Sequence, residues 1–210
     1  KTPIGGRVYD TGDFAGHMDS ALATADWAGF RARERASAKA GKLRGRGFAT
    51  YIECTAWGSG EDVSATLETD GTVTVISGTQ SNGQGHATAY AQFVSDKLDL
   101  LLDRIRVVQG DTAAVPTGNG TGGSRSVTVG GVATHLAPGA LAEKLKILAA
   151  DVLDASAGDL EFSGGDIRIK GTDRRVSLAD LARRPEATPE MRRGEGGFTP
   201  PDATYPNGTH

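Results

Sequence analysis

Two glycine-rich segments, residues 78–86 and 118–126, constrain this chain more than any other feature, because each joins a strand-like run to a helical pattern. Glycine occupies 30 of the 210 positions, which is about twice its average share. At a strand-to-helix junction, glycine lets the backbone approach a ligand closely, and the free N–H groups of the first helical turn attract anions. One such loop is also typical of an ordinary tight turn, but two of them favour a phosphate or dinucleotide ligand.

The side chains of the two loops suit the same kind of ligand. In the first loop, Gln84 and His86 are neutral hydrogen-bond donors. In the second loop, Ser124 and Ser126 supply hydroxyl groups. Arg125, which lies between the two serines, offers a planar fork for bidentate contact with a phosphate.

Two well-known phosphate-binding loops do not match. Within the first loop, Gly83-Gln84-Gly85 matches the G-x-G of the Rossmann fingerprint, but Thr88 replaces the third glycine, and the preceding strand belongs to a predicted hairpin. The match is therefore too poor to predict NAD binding. The chain contains no Gly-Lys-Ser/Thr sequence, so a Walker A loop is excluded as well.

Composition excludes several other classes. Cys54 is the only cysteine, so the chain cannot build a disulfide framework or a four-cysteine zinc or iron–sulfur site. The four histidines lack metal-ligand spacing, and no apolar run approaches the roughly 18 residues of a membrane span. The basic run over 31–46 is interpreted as a solvated helix face because the net charge is −3. We therefore predict a soluble domain with no metal ligands and no nucleic-acid or membrane partner.

Hydrophobic spacing along the chain predicts an α+β domain. Apolar residues at helical spacing predict a helical segment within residues 1–44, and period-two runs predict strands from residue 45 onward. Asp70-Gly71 predicts a two-residue hairpin turn, and an apolar stripe follows each glycine loop. The resulting order of helices and strands predicts helices packed on one face of a mixed β-sheet.

We expect the domain to cover residues 1–182, as a helical N-terminal segment (1–44) followed by an α+β core (45–182). Five of the eight prolines fall among the last 26 residues, so residues 183–210 are expected to form a Pro/Gly-rich loop or linker tail. The chain begins at Lys1 and stops within a turn signal. It is therefore expected to be an internal piece of a longer protein.

The sequence also resembles a known family. Three blocks carry the resemblance: Gly78–Gln92 (GTQSNGQGHATAYAQ), Gly110-Asp111-Thr112 and Gly120–Ser126 (GTGGSRS). They are similar to blocks of the molybdopterin-binding large subunit of the xanthine oxidase family, especially of carbon monoxide dehydrogenase and aldehyde dehydrogenase large chains. The resemblance covers nearly the whole chain, and the joint order and spacing of GQGH and GSRS make it specific.

The resemblance implies a molybdenum cofactor-binding domain and an oxidoreductase, a molybdenum-dependent dehydrogenase or hydroxylase acting on an aldehyde, a heterocycle or carbon monoxide. It implies that the loops bind the pterin and pyrophosphate of molybdopterin cytosine dinucleotide, whose own dithiolene holds the metal. The implied cofactor-binding residues are Gln84, Gly85, His86, Thr88, Gly123, Ser124, Arg125 and Ser126.

The resemblance further implies a cytoplasmic enzyme whose electrons leave through iron–sulfur and flavin subunits. The glutamate base of the family has no counterpart in this chain, so we assign no catalytic residue and expect the chain alone to be inactive and without the cofactor. The residues by themselves leave a second function open, namely a non-catalytic nucleotide- or phosphate-binding module.

Overall fold

The computed structural model of the chain describes residue 6 and residues 8–209. His210, one of the four histidines considered above, lies outside the described residues, as do residues 1–5 and 7. The chain forms two compact units. The smaller unit is drawn from residues 1–55 and 202–210, and the larger unit from residues 56–201.

Helices and strands are numbered along the chain. The helices in the described residues are α1 (Phe14–Thr24), α2 (Phe30–Lys39), α3 (His86–Leu98), α4 (Val132–Leu153) and α5 (Leu178–Ala182). The strands there are β1 (Thr50–Ile52), β2 (Glu61–Leu67), β3 (Val73–Ser77), β4 (Ile105–Val108), β5 (Leu160–Ser163), β6 (Asp166–Ile169), β7 (Arg175–Ser177), β8 (Arg193–Phe198) and β9 (Asn207–Thr209).

The smaller unit contains α1, α2 and a short antiparallel pair of β1 and β9. Asp13 caps α1, because its Oδ1 accepts a hydrogen bond from the Gly16 N–H at 3.0 Å. The Arg46 guanidinium lies 4.0 Å from the centroid of the Trp27 ring, within the range of a cation–π contact. The basic run over 31–46 therefore has at least one member that packs on an aromatic ring.

The larger unit is built on a four-stranded sheet in the order β4-β3-β2-β8. Strands β3 and β4 are parallel and the other neighbours are antiparallel. Val63, Leu67 and Val75 are buried in a core that they share with residues of α3 and α4. Polar residues of the same strands, such as Asp62 and Glu195, line an open cavity of about 430 Å³. The predicted α+β arrangement, with helices packed on a mixed sheet, is confirmed.

The hairpin of β2 and β3 is also confirmed, but its turn is longer than predicted. Leu67 pairs with Val73, so the turn comprises residues 68–72. Of the Asp70-Gly71 pair, only Gly71 has a positive φ, +82°. A two-residue turn of the expected type needs a positive φ at both positions, which the longer turn avoids.

The expected loop or linker tail at residues 183–210 is wrong in part, because β8 and β9 lie within it. A Cβ on Gly194 would lie 2.2 Å from the Ala137 carbonyl oxygen, and one on Gly196 would lie 2.4 Å from the Ala133 carbonyl oxygen. Only glycine therefore lets α4 lie directly on β8. A strand that needs glycine at its buried positions lacks the apolar alternation that marks strands in a sequence.

The second glycine loop does not lead directly into an α-helix. A π-helical turn, Ser126–Gly131, comes first, and α4 then continues for 22 residues. Pro138 is buried inside α4, which remains a single element. Beyond α4, β5 and β6 form an antiparallel hairpin, and Ser177 caps α5 by accepting a hydrogen bond from the Asp180 N–H at 3.0 Å.

Candidate functional site

The first glycine loop connects β3 to α3 and ends in two left-handed glycines. Gly83 has φ +101°, and Gly85, the N-cap of α3, has φ +84°. A Cβ built on either glycine would meet no atom within 4 Å, so the described residues leave the space beside the helix start open. The first N–H groups of α3 have no partner within the helix, and together with the helix dipole they form a site for an anion.

Gln84 and Thr88 are both exposed beside this helix start. Gln84 Oε1 accepts hydrogen bonds from the Asn82 N–H and, at 3.5 Å, from the Ser81 hydroxyl. The oxygen end of the Gln84 amide therefore shapes the loop. The donor end of this amide and the Thr88 hydroxyl are the side-chain groups that a ligand at the helix start can use.

His86, the first residue of α3, is almost completely buried, with 3% of its surface exposed. Its ring stacks on Tyr90 with 5.3 Å between ring centroids. Nδ1 lies 3.3 Å from Gln109 Nε2, whereas Nε2 is buried and has no hydrogen-bond partner among the described residues. Burial lowers the pKa of the His86 imidazole below its ordinary value, so the ring is neutral near pH 7.

The second glycine loop is held in an unusual backbone conformation. Gly120, Gly123 and Ser124 all have positive φ, at +65°, +60° and +49°. The Trp57 N–H donates to the Gly123 carbonyl at 3.1 Å, and the Ala56 N–H donates to the Ser124 carbonyl at 3.3 Å. A Cβ on Gly123 would lie 2.7 Å from Trp57 Cβ, so this position requires glycine for space as well as for φ.

Arg125 does not offer the free fork that the sequence suggests. Its side chain is 4% exposed and forms an ion pair with Glu61, with 2.7 Å between Nη1 and Oε2. Its remaining Nη hydrogen bonds go to the backbone carbonyls of Gly120, Ser59 and Gly60 at 3.0–3.1 Å. These four bonds use all four Nη protons, so Arg125 ties the second loop to the start of β2. Residue type in the sequence shows the charge of Arg125 but not its partner, which lies 64 residues earlier.

Ser126 begins the π-helical turn, and its hydroxyl lies 2.8 Å from the Thr121 hydroxyl. The Ser126 carbonyl accepts a hydrogen bond from the Tyr90 hydroxyl at 2.7 Å. Because Tyr90 belongs to the helix that follows the first loop, this bond links the two loops directly. Burial raises the pKa of the Tyr90 phenol, so the group stays protonated and able to donate.

The two loops also meet through their backbones. A Cβ on Gly78 would lie 2.2 Å from Gly118 Cα and 2.5 Å from the Thr117 carbonyl oxygen. The Gly120 N–H donates to the Gly78 carbonyl at 3.0 Å. Glycine at 78 and 118 therefore allows a backbone contact that brings the predicted residues of both loops to one region of the larger unit.

Sequence reasoning missed four residues that organise this region: Glu61, Thr79, Tyr90 and Gln109. Tyr90 carried one signal, since it lies one helical turn after His86 and so shares its face of α3. Glu61 and Gln109 gave no signal in the sequence, because Glu61 begins β2 and Gln109 follows β4, and polar residues are common at both ends of strands.

No group of three or more His, Cys, Asp or Glu residues that could hold a metal ion is found within the described part of the chain. Among the same residues, no helix is both long and apolar enough to cross a membrane. What the site offers is therefore a set of backbone N–H groups, hydroxyls and one neutral imidazole, which is chemistry for binding an anionic organic molecule.

Comparison with known proteins identifies relatives of nearly the whole chain. The family model described as a molybdopterin cofactor-binding domain matches residues 20–210. The carbon monoxide dehydrogenase large chain of Hydrogenophaga pseudoflava is 32% identical over 225 residues, which cover 98% of this chain and 28% of that protein. The nicotine 6-hydroxylase large subunit of Paenarthrobacter nicotinovorans is 31% identical over 167 residues, which cover 74% of this chain and 20% of that protein.

Solved structures agree with these relatives. Carbon monoxide dehydrogenase from Oligotropha carboxidovorans matches with a TM-score of 0.63 and 30% identity, covering 96% of this chain and 28% of that chain. Quinoline 2-oxidoreductase from Pseudomonas putida 86 matches with a TM-score of 0.65 and 22% identity, covering 94% of this chain and 28% of that chain. At that lower identity the second match shows the fold alone. The chain thus spans between 20% and 28% of the length of the relatives named here.

Proposed function

Because this chain belongs to the molybdopterin cofactor-binding domain family, we propose that its two glycine loops hold the cofactor of a molybdenum-dependent oxidoreductase. The first loop contributes the helix start of α3, and the second contributes the backbone that leads into the π-helical turn. The residues assigned to cofactor binding are Gln84, Gly85, His86, Thr88, Gly123, Ser124, Arg125 and Ser126.

The observation that carries the proposal is the buried His86 Nε2, which has no partner among the described residues. A buried polar atom without a partner costs about 1–3 kcal/mol, so such an atom beside an open helix start indicates a ligand that satisfies it. Gly85 and Gly122 support the same reading, because a Cβ on either would meet no atom within 4 Å. The residues present therefore fit an anionic organic cofactor that approaches the backbone closely.

Each assigned residue has a binding or positioning role. Gln84 and Thr88 hydrogen-bond the cofactor from either side of the α3 helix start. Ser124 and Ser126 contribute N–H and hydroxyl groups from the second loop. Arg125 positions the second loop, since its Nη protons are used by Glu61 and by three backbone carbonyls. Its buried Nε–H has no partner among the described residues and is the one group of this side chain that remains for the cofactor.

We propose the cytosine dinucleotide form of molybdopterin as the cofactor. A dinucleotide carries a pyrophosphate, and two separate anion-binding loops suit its two phosphates better than they suit the single phosphate of the mononucleotide form. When bound, the cofactor supplies the redox-active molybdenum for oxidative hydroxylation. The residues of this chain bind and orient it, and we assign none of them a catalytic role.

The whole protein is proposed to be the large subunit of a molybdenum hydroxylase that acts on an aldehyde, a nitrogen heterocycle or carbon monoxide. The names of the relatives support the heterocycle and carbon monoxide in this range, since they include a nicotine hydroxylase and a carbon monoxide dehydrogenase. Iron–sulfur and flavin subunits are proposed as electron acceptors in a cytoplasmic complex. Cys54 is the only cysteine of this chain, so an iron–sulfur cluster held by four cysteines would lie outside these residues.

A matched pair of glycine substitutions tests the cofactor site. Gly85 and Gly171 both have positive φ, +84° and +74°, and a Cβ on either meets no atom within 4 Å. Gly85→Leu and Gly171→Leu therefore carry similar backbone strain, but only Gly85→Leu places a side chain at the α3 helix start. We expect Gly171→Leu to keep molybdenum, fluorescent pterin and CMP in equal amounts, and Gly85→Leu to lose all three.

The substitutions are made in the full-length enzyme, and the measurement uses metal analysis, pterin fluorescence after oxidation and nucleotide chromatography on the purified enzyme. Equal cofactor contents in the two variants would contradict the site. Release of a nucleotide other than CMP would contradict the cytosine form while leaving the site in place.

A further inference from the structure

A continuous series of hydrogen bonds connects the two glycine loops through the interior of the larger unit. His86 Nδ1 lies 3.3 Å from Gln109 Nε2, and the same Gln109 nitrogen lies 2.6 Å from Thr79 Oγ1. Thr79 Oγ1 lies 3.0 Å from the Tyr90 hydroxyl, which lies 2.7 Å from the Ser126 carbonyl oxygen. The series thus begins in the first loop and ends in the second.

The Ser126 carbonyl fixes the position of each proton, because a carbonyl oxygen can only accept. Tyr90 therefore donates its one hydroxyl proton to Ser126. The Tyr90 oxygen has no further proton, so in its contact with Thr79 it must accept. Thr79 in turn uses its own single hydroxyl proton for this bond.

Gln109 can then meet Thr79 only as a donor. The NH₂ side of the Gln109 amide must face Thr79, although the oxygen and nitrogen ends of an amide have nearly the same shape. The same nitrogen donates its second proton toward His86 Nδ1. A proton on Nδ1 would place two donors face to face, so Nδ1 carries none.

We infer that Gln109 is a positioning residue that holds His86 as the neutral tautomer protonated on Nε2. The Nε2–H group is buried and without a partner among the described residues. The identity of the ligand rests on the proposed function: the Nε2–H group binds a hydrogen-bond acceptor of the cofactor, such as a phosphoryl or ring carbonyl oxygen. It would reject an amino or ring N–H group at the same place, so Gln109 determines which edge of the ligand faces His86.

Solid-state NMR of the protein labelled with ¹⁵N in its histidine rings tests the tautomer directly. The resonances of His86 are those that disappear in His86→Asn. We expect an unprotonated Nδ1 and a protonated Nε2 at pH 7. A proton on Nδ1, in either the opposite tautomer or the imidazolium, would overturn the inference.

Gln109→Glu tests the role of Gln109. A carboxylate can only accept, so Nδ1 of His86 takes up a proton in this variant. Gln92→Glu makes the same change at an exposed position of α3 and is the matched control. We expect the nitrogen pattern to change in Gln109→Glu and to stay as in the parent in Gln92→Glu. If Gln109→Glu does not fold, Gln109→Met, which removes the donor, should give a mixture of both tautomers, and a single Nε2-protonated form there would contradict the role.

Cofactor content, measured on the same preparations, separates this inference from the proposed function. In the full-length enzyme carrying Gln109→Glu, a neutral His86 ring protonated on Nδ1 has lost the donor at Nε2, and cofactor retention should weaken about tenfold, or about 1.4 kcal/mol. An imidazolium ring keeps the Nε2–H and should retain the cofactor, as Gln92→Glu should. A full-length parent enzyme with the expected nitrogen pattern but without cofactor would refute the proposed function alone. A cofactor-loaded parent with its proton on Nδ1 would refute the inference alone.

Discussion

Arg125→Ala is the most informative perturbation of the second loop, because it removes one partner of a buried ion pair. The Arg125 and Glu61 side chains are 4% and 1% exposed, and Nη1 lies 2.7 Å from Oε2. Removing one member of such a pair leaves the other charge buried without compensation, which typically costs about 3–5 kcal/mol. We expect the free energy of unfolding to fall by about that amount.

We expect Arg125→Ala to disturb the second loop as well as to lower the stability of the fold. The carbonyls of Ser59 and Gly120 also lose the Arg125 donor, and the Gly60 carbonyl keeps only Asn119 Nδ2, at 3.3 Å. The second loop is then held less firmly to the start of β2, so we expect cofactor content to fall as well. This loss follows from the position of the loop and does not require contact between Arg125 and the cofactor.

Urea unfolding followed by circular dichroism measures the stability change, and Arg168→Ala is the matched control. Arg168 pairs with Glu161 at 2.8 Å, nearly the same distance, but its side chain is 45% exposed and that of Glu161 is 38% exposed. Exposed pairs contribute about 0–1 kcal/mol, so Arg168→Ala should change little. The double variant Glu61→Leu/Arg125→Met, which removes both charges, should recover most of the stability lost in Arg125→Ala.

A loss of less than about 1 kcal/mol in Arg125→Ala would refute this reasoning, since it is the value expected for a solvent-screened pair. If cofactor content fell at the same time, Arg125 would be a direct phosphate ligand, as the sequence alone suggests. A double variant no more stable than Arg125→Ala would show that the packing of the side chain, and not its charge, holds the loop.

Three further predictions concern packing and pH. Gly78→Ala puts a Cβ 2.2 Å from the backbone of the second loop, so it should lower the free energy of unfolding by about 1–3 kcal/mol and release the cofactor. A Cβ on Gly139 meets no atom within 4 Å, so Gly139→Ala should instead stabilise α4 by about 0.5–1 kcal/mol. Gly194→Ala meets an α4 carbonyl at 2.2 Å and should lower the urea midpoint, whereas Gly197→Ala meets only a flexible carboxylate oxygen at 2.7 Å and should leave it nearly unchanged. Burial lowers the pKa of His86 in the folded protein, so below about pH 6.5 the unfolded chain binds more protons than the folded chain does. The free energy of unfolding should therefore fall as the pH drops through that range, and it should fall less in His86→Gln. A pH dependence as steep in His86→Gln as in the parent would contradict the last prediction.

The first loop could be predicted well from the sequence because its signals are local. The hairpin before it, the glycines and the apolar stripe of α3 all lie within about one turn or one strand of each other, and each limits the backbone directly. Gly85 and His86 accordingly lie at the predicted helix start. The burial of His86 could not be predicted, since it depends on Tyr90 and on Gln109 from a different strand end.

The second loop shows what local signals miss. The sequence shows Arg125 among small polar residues, and in that setting a free phosphate-binding fork is a reasonable prediction. Its actual partner, Glu61, is brought close only by the sheet. The same limit applies to β8, whose Gly194 and Gly196 are required by the approach of α4 and look like loop residues in the sequence. Packing between residues far apart in the sequence determines both the Arg125 partner and the glycines of β8, and the neighbouring residues give no signal of it.

A crystal structure of the cofactor-loaded protein measures most directly whether the two glycine loops are the cofactor site. We predict pyrophosphate oxygens within hydrogen-bond distance of backbone N–H groups at the start of α3 and in the segment from Gly123 to Ser126. We also predict an acceptor atom of the cofactor within about 3.2 Å of His86 Nε2. Density for the cofactor elsewhere on the protein, with His86 Nε2 still without a partner, would contradict the assignment.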